Sequence, residues 1–300
     1  MLRGVDSTGG IRRALLTLAV TIITAAAYAG AEQCRPLKDA DHGWAVRVGA
    51  PGNYCMEADL KQTEAPALLR LPHQPTPGSP LLTIASVDVS IDLKRHELLG
   101  KRASALGLWL NGGGGMRYFP ARVRNGTIRT ETRPAVFMVY AWNRDETRFS
   151  ARAVADSLAL AGRLEEYVAT GFILEDLTLQ ADAVTVILQG RGNVIRRCKI
   201  IGGNGAVNLY GPDLVFEDNE IVMNASPAKP GGEAPIALYL QDAGNSVVRN
   251  NRITIKGRDA GAEAIVLKNS PNVVLQNNRV NGGAQSYKLM DQQSSIEEAR

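Results

Sequence analysis

Apolar and polar positions alternate in short runs that recur along most of the chain. Asp213–Ile221 reads Asp-Leu-Val-Phe-Glu-Asp-Asn-Glu-Ile, Asn245–Ile253 reads Asn-Ser-Val-Val-Arg-Asn-Asn-Arg-Ile, and Asn272–Val280 reads Asn-Val-Val-Leu-Gln-Asn-Asn-Arg-Val. In each, an apolar run meets an Asn, then one polar residue, then a β-branched residue. Aligned on Asn219, Asn251 and Asn278, the column continues backwards through Cys198, Leu177, Gly126 and His96. Two residues later stand Ile221, Ile253, Val280, Ile200, Leu179, Ile128 and Leu98, all aliphatic. Three residues earlier stand Phe216, Val248, Leu275, Ile195, Leu174, Val123 and Leu93, all apolar. Steps of 21, 21, 32 and 27 residues separate Leu177, Cys198, Asn219, Asn251 and Asn278. A period of about 20–30 residues with loops of variable length marks a solenoid. Alternation and frequent β-branching make the repeated unit a strand.

A second strand follows most copies: Leu106–Leu110, Val184–Leu188, Ala206–Tyr210, Ile236–Leu240 and Ala264–Lys268. Short turns such as Gly211-Pro212-Asp213 and Asn269-Ser270-Pro271-Asn272 carry the chain into the next copy. Two or three short strands per coil, stacked about 4.8 Å apart, give a parallel β-helix. One coil cannot bury its inner face alone, but a stack can.

Residues 81–282 resemble the right-handed parallel β-helix (pectate-lyase-like) superfamily. Val89-Ser-Ile-Asp-Leu-Lys-Arg-His-Glu-Leu-Leu-Gly100 is similar to the opening coil of many members, and Val123-Arg-Asn-Gly-Thr-Ile128 to the coil after it. His96 sits at a coil-turn position of that string. The resemblance implies an all-β right-handed solenoid with stacked Asn in one turn. It implies no single activity, because lyases, hydrolases, epimerases, adhesins and phage spikes share the fold.

The positions beside the Asn column carry alternating charge. Two before it stand Arg124, Glu175, Arg196, Glu217, Arg249 and Gln276; one before it stand Asp176, Arg197, Asp218, Asn250 and Asn277. Opposite charges on neighbouring strands attract by about 0.2–1 kcal/mol, so these columns are expected to form a solvated salt-bridge ladder. The ladder also opposes a calcium site, which needs six to eight oxygen ligands, because Arg196 and Arg197 separate Glu175/Asp176 from Glu217/Asp218. The polygalacturonase motifs and the Asp-Pro-His motif of alginate epimerases are missing. No metal site and no cofactor is expected.

Arg3, Arg12 and Arg13 followed by the apolar stretch Ala14–Ala29 predict an export signal over residues 1–29. Ala27-Tyr28-Ala29 fits the cleavage site, with Ala29-Gly30-Ala31 as a near alternative. A membrane anchor is the competing reading, and the short stretch ending in small residues favours export. The expected location is the periplasm or the exterior, with no membrane span in the mature chain. Removing 1–29 takes away three Arg and one Asp, lowering the formal charge from +4 to about +2. That balance gives no case for nucleic acid. Export permits a Cys34–Cys55 disulfide, and Cys198 is expected to be a small buried apolar residue.

The remaining segments are read from composition. Residues 30–80 are expected to hold an N-terminal cap and a Pro-rich loop, with coils beginning near Leu82. The β-helix spans 81–282, and 283–300 form a polar tail. Residues 131–170 interrupt the repeat: Val136–Tyr140 is strand-like, and Val154, Leu158, Ala161, Leu164 and Val168 at helical spacing predict a helix over 151–168.

Candidate function follows from the resemblance and the outward charges. The resemblance implies binding or processing of an extracytoplasmic polysaccharide, including lyase-like or epimerase-like action on a polyuronate. A non-catalytic envelope scaffold or adhesion protein with a protein partner is the alternative. Arg249 and Lys256 are candidate catalytic residues, since β-elimination needs a base and a cation at a uronate carboxylate. Glu217, Asp218, Glu220 and Arg252 are candidate binding residues. Tyr210 and Tyr239 would add a sugar-stacking platform if they face outward.

Overall fold

The protein is described from a computed structural model covering residues 34–37, 46–62, 79–101, 105–110, 120–138, 167–227, 234–257 and 261–298. Among these residues there are 25 strands and no helix. β1 (Arg35–Pro36) precedes the first full coil, which holds β2 (Val46–Val48), β3 (Gly52–Cys55) and β4 (Leu60–Gln62). The next holds β5 (Ser79–Ile84), β6 (Val89–Asp92) and β7 (Glu97–Gly100). Two coils with a fused long strand follow: β8 (Ala105–Leu110) with β9 (Ala121–Thr130), and β10 (Val136–Met138) with β11 (Ile173–Gln180). Three regular coils come next: β12 (Val186–Gln189), β13 (Val194–Arg196), β14 (Lys199–Gly202); β15 (Val207–Tyr210), β16 (Val215–Glu217), β17 (Glu220–Asn224); β18 (Ile236–Gln241), β19 (Val247–Arg249), β20 (Arg252–Lys256). The last are β21 (Glu263–Lys268), β22 (Val273–Gln276), β23 (Arg279–Asn281), β24 (Tyr287–Leu289) and β25 (Ile296–Glu298).

Every pairing is parallel, and each strand pairs with its counterpart one coil away. The first side of the coil is the nine-stranded sheet β2-β5-β8-β10-β12-β15-β18-β21-β24. The other two sides belong to one sixteen-stranded sheet. Its main path β1-β3-β6-β9-β11-β13-β16-β19-β22-β25 is the second side. The branches β4-β7-β9 and β11-β14-β17-β20-β23 form the third.

From β9 onward the register follows the sequence columns. One coil earlier it departs from them on the second side, where Val123 lies beside Ile91 and not beside the aligned Leu93, because the bend from Asp92 to Leu98 is two residues longer than that from Arg124 to Ile128. Leu98, Ile128, Leu179, Ile200, Ile221, Ile253 and Val280 lie side by side on the third side. Val123, Leu174, Ile195, Phe216, Val248 and Leu275 do so on the second, facing Leu108, Val136, Val186, Val207, Leu238 and Ile265 on the first. All belong to one apolar core. Each fully buried aliphatic or Phe side chain contributes about 1.5–3 kcal/mol, so the stack is held by summed rows.

A bend joins the second and third sides. Its residues are Asn125, Asp176, Arg197, Asp218, Asn250 and Asn277, all with φ between 52° and 57°. The left-handed backbone therefore falls one residue before the aligned column. It does not fall on Asn219, Asn251 and Asn278, whose role is in side-chain bonding. Asn219 Nδ2 donates to Asn251 Oδ1 at 3.1 Å, and Asn251 Nδ2 to Asn278 Oδ1 at 2.9 Å. Each side-chain oxygen also accepts the backbone N–H of the column residue one coil earlier: Cys198, Asn219 and Asn251. Gly126 occupies the column where a Cβ would collide with Leu93 and the His96 carbonyl.

The stack is longer than the sequence pattern predicts. β2, β3 and β4 pair with β5, β6 and β7, so a coil already stands at residues 46–62, before the expected start near Leu82. At the other end β24 and β25 continue the sheets into the expected tail. Cys34 and Cys55 form a disulfide that ties β1 to β3. The predicted signal segment and the predicted helix over 151–168 lie outside the described residues, except Tyr167 and Val168, which are not helical. Among the described residues no helix is long and apolar enough to cross a membrane.

Candidate functional site

The first side presents no open face for a ligand at Tyr210 and Tyr239. Both rings are 1% exposed. They meet edge-on, with centroids 6.0 Å apart. With Leu106, Phe137, Tyr167, Ile187, Ile236 and Val266 they form a second apolar cluster, on the opposite face of the nine-stranded sheet from the core. Tyr167 Oη donates to the buried Asp242 Oδ2 at 2.6 Å, and Tyr239 Oη to Gln241 Oε1 at 2.7 Å. The expected sugar-stacking platform is therefore corrected: these rings serve packing, because apolar neighbours fill the space a sugar would need.

The second side carries the charge ladder. Asp92, Arg124, Glu175, Arg196, Glu217, Arg249 and Gln276 lie in direct register. One rung differs from the solvated ladder expected. Glu175 is 1% exposed, covered by Arg122, Arg196 and Arg197. Burial works against its charged form, but the arginines Arg196 and Arg122 outweigh it and hold the carboxyl below the usual glutamate range. Arg197 binds Asp176 through Nε at 2.8 Å and Nη2 at 2.9 Å, which lowers the Asp176 carboxyl in the same way. Arg249 places Nε at 2.8 Å and Nη2 at 2.5 Å from Glu217 Oε2. A guanidinium so engaged is a poor proton acceptor, and Glu217 has its charge met.

The bend and the third side behave differently. The register there is Lys199, Glu220, Arg252, Arg279. Lys199 Nζ lies 3.5 Å from Glu220 Oε2. Arg252 and Arg279 are exposed and make no ion pair among the described residues. Between them and the bend runs a groove of about 560 Å³ lined by Asn250, Asn251, Arg252, Asn277, Asn278 and Arg279. Lys256 is exposed at the far end of β20, opposite Asn224, roughly 13 Å from Arg252 at strand rise.

Of the candidate residues, the fold thus brings Glu217, Asp218, Glu220, Arg249 and Arg252 together around one bend. It leaves Lys256 apart and buries Tyr210 and Tyr239. Arg279, Asn250 and Asn277 join the groove without having been singled out. The column directly after the Asn column, with two successive arginines, was the signal for Arg279, and the column directly before it, with two successive Asn, the signal for Asn250 and Asn277. Among the described residues no group of three or more His, Cys, Asp or Glu side chains is placed to hold a metal ion.

Parallel strands in three columns, apolar rows inside and a one-residue bend repeated coil after coil define the architecture, and a family comparison agrees. Residues 172–298 match the family model described as a right handed beta helix region. These residues form a right-handed β-helix. No curated protein and no solved structure matches the chain. The parallel register of the β-helix runs unbroken from β11 back to β3, so the same stack continues through the described residues between 46 and 138. The charge ladder and the Arg252/Arg279 groove both lie on the matched segment or on its direct continuation.

Proposed function

We propose that the chain is an exported β-helix protein that binds an extracytoplasmic polysaccharide along the bend between its second and third sides. The groove at Asn250, Arg252, Asn277 and Arg279 carries this reading, because it combines amide donors and acceptors with two uncommitted guanidiniums on an exposed surface. Arg249 is engaged by Glu217 and Lys256 stands apart, which favours binding over elimination or epimerisation. The Cys34–Cys55 disulfide fits an oxidising compartment. A glycan-array screen of residues 30–300 tests the proposal: specific retention of any polysaccharide supports it, and a blank on folded protein removes it. The second reading is an envelope scaffold. It is favoured by the ladder from Asp92 to Arg249, whose charges are met within the protein.

A further inference from the structure

The cross-strand charges of this β-helix follow one rule with one exception. Asp92 lies beside Arg124, Glu175 beside Arg196, Glu217 beside Arg249, Lys199 beside Glu220, and Glu220 in turn beside Arg252, although the Glu220 carboxylate is bonded to Lys199. In the registers among the described residues, only Arg252 and Arg279 place like charges in direct register. Like charges directly opposite are unfavourable, and guanidinium is the side chain best shaped to hold oxyanions. Neighbouring strands are about 4.8 Å apart, so the two guanidiniums can hold one oxyanion between them or one each on successive coils. Asn250 and Asn277 line the same groove at the bend. Asn277 Nδ2 reaches Asn250 Oδ1 only at 3.4 Å, so both exposed amides keep hydrogen-bonding capacity for a ligand.

We infer that Arg252 and Arg279, with Asn250 and Asn277, form an oxyanion clamp that takes the carboxylate or sulfate groups of a polymer lying across successive coils. This deepens the polysaccharide reading by naming the ligand chemistry, and it moves the site from Arg249 and Lys256 to the bend of the last two coils. The clamp needs no proton transfer and no metal. It is a binding device, and its specificity comes from charge and planarity.

The test uses the folded protein, the double variant Arg252→Gln/Arg279→Gln and the control Lys61→Gln, an exposed cation on the first coil. Binding to polygalacturonate, dextran sulfate and neutral dextran is measured by calorimetry. Thermal unfolding is followed in sodium sulfate and in sodium chloride at equal ionic strength. The expected result is binding to at least one anionic polymer and not to neutral dextran. The double variant should then bind at least about tenfold more weakly, the scale of a single lost charge-assisted hydrogen bond, and Lys61→Gln unchanged. The carboxylated and sulfated polymers show which oxyanion the clamp prefers. A double variant that binds either polymer as the wild type does overturns the clamp while leaving the polysaccharide reading in place. Wild type that binds no polymer, yet is raised in Tm by sulfate only when both arginines are present, upholds the clamp and removes the polysaccharide reading. No polymer binding and no sulfate-specific shift removes both.

Discussion

Asn251 is the middle rung of the Asn ladder, and replacing it with alanine measures what the ladder contributes. The residue is 1% exposed. Its Oδ1 accepts the Asn219 backbone N–H at 2.9 Å, and its Nδ2 donates to the Phe216 carbonyl at 2.9 Å. The Asn219 and Asn278 side chains keep other partners when Asn251 is truncated, namely the Ile195 and Val248 carbonyls. What the truncation strands is one buried backbone donor, the Asn219 N–H, while the Phe216 carbonyl loses one of two bonds and keeps its place in the parallel ladder with β19. At about 1–3 kcal/mol for the buried donor left unpaired and about 1 kcal/mol for the second bond lost at the Phe216 carbonyl, Asn251→Ala should destabilise by about 2–4 kcal/mol. Asn278→Ala removes the same kind of contacts from the Asn251 N–H and the Val248 carbonyl. It does so at a half-buried position where water can replace them, so about 1 kcal/mol is expected there. Urea unfolding followed by far-UV circular dichroism measures both, with the transition slope checked for loss of cooperativity. If both variants unfold within about 0.5 kcal/mol of wild type, the ladder is a consequence of the apolar stack and the reasoning fails. Equal large losses at both positions would also refute it, because burial is the stated cause of the difference.

Three other outcomes are expected. Glu175→Gln should destabilise at neutral pH by about 1–3 kcal/mol, less than a fully buried pair because the arginines reach solvent. The Glu175 carboxyl titrates below its usual value of 4.5 when folded, so its charge contributes fully above that pH and the contribution fades as pH falls through the folded value. Urea midpoints of wild type and variant should therefore converge as the pH falls below 4.5; a gap that widens in acid would contradict the arginine cover. Burial pushes the Cys198 thiol up to about 12, so a thiol reagent should label the native protein negligibly and the unfolded protein at one site under non-reducing conditions, and rapid native labelling would be inconsistent with this packing. Reducing the Cys34–Cys55 bridge, or replacing both with Ser, should lower stability by up to about 3 kcal/mol for a loop of this length and speed amide hydrogen exchange first in Gly52–Cys55; exchange that speeds elsewhere first would place the weak point in another coil.

The inner rows of the β-helix were legible because the coils from β9 to β23 repeat the same one-residue bend, whereas the coil before them has two more residues between Asp92 and Leu98. Each column therefore keeps its phase, and Phe216, Val248 and Leu275 can be lined up by eye across loops of different length. The ends were not legible, because β2, β3, β4, β24 and β25 share the coil geometry without the Asn column that marks the middle. The Asn ladder was visible as a column, but the left-handed backbone angle of the bend, which the column does not reveal, belongs to the residue before it. Asp176, Asp218, Asn250 and Asn277 suit the left-handed region, whereas Arg197 adopts it while bound to Asp176 and Glu175. A second polar device stayed hidden. Asn193 and Ser246 accept the backbone N–H groups of Phe172 and Leu214 one coil earlier, as the Asn ladder does, but alternate with apolar residues in their column. The candidate site was half legible for the same kind of reason. Charge order along a column can be read directly, so Glu217 and Arg249 were found. Exposure of an aromatic ring depends on what packs over it, and the strand pattern of Tyr210 and Tyr239 carries no record of that. Arg279 marks the place where alternation stops. Among the described residues, a β-helix that sets unlike charges side by side and then places Arg279 beside Arg252 has, at that bend, a feature that pairing between its own strands does not explain.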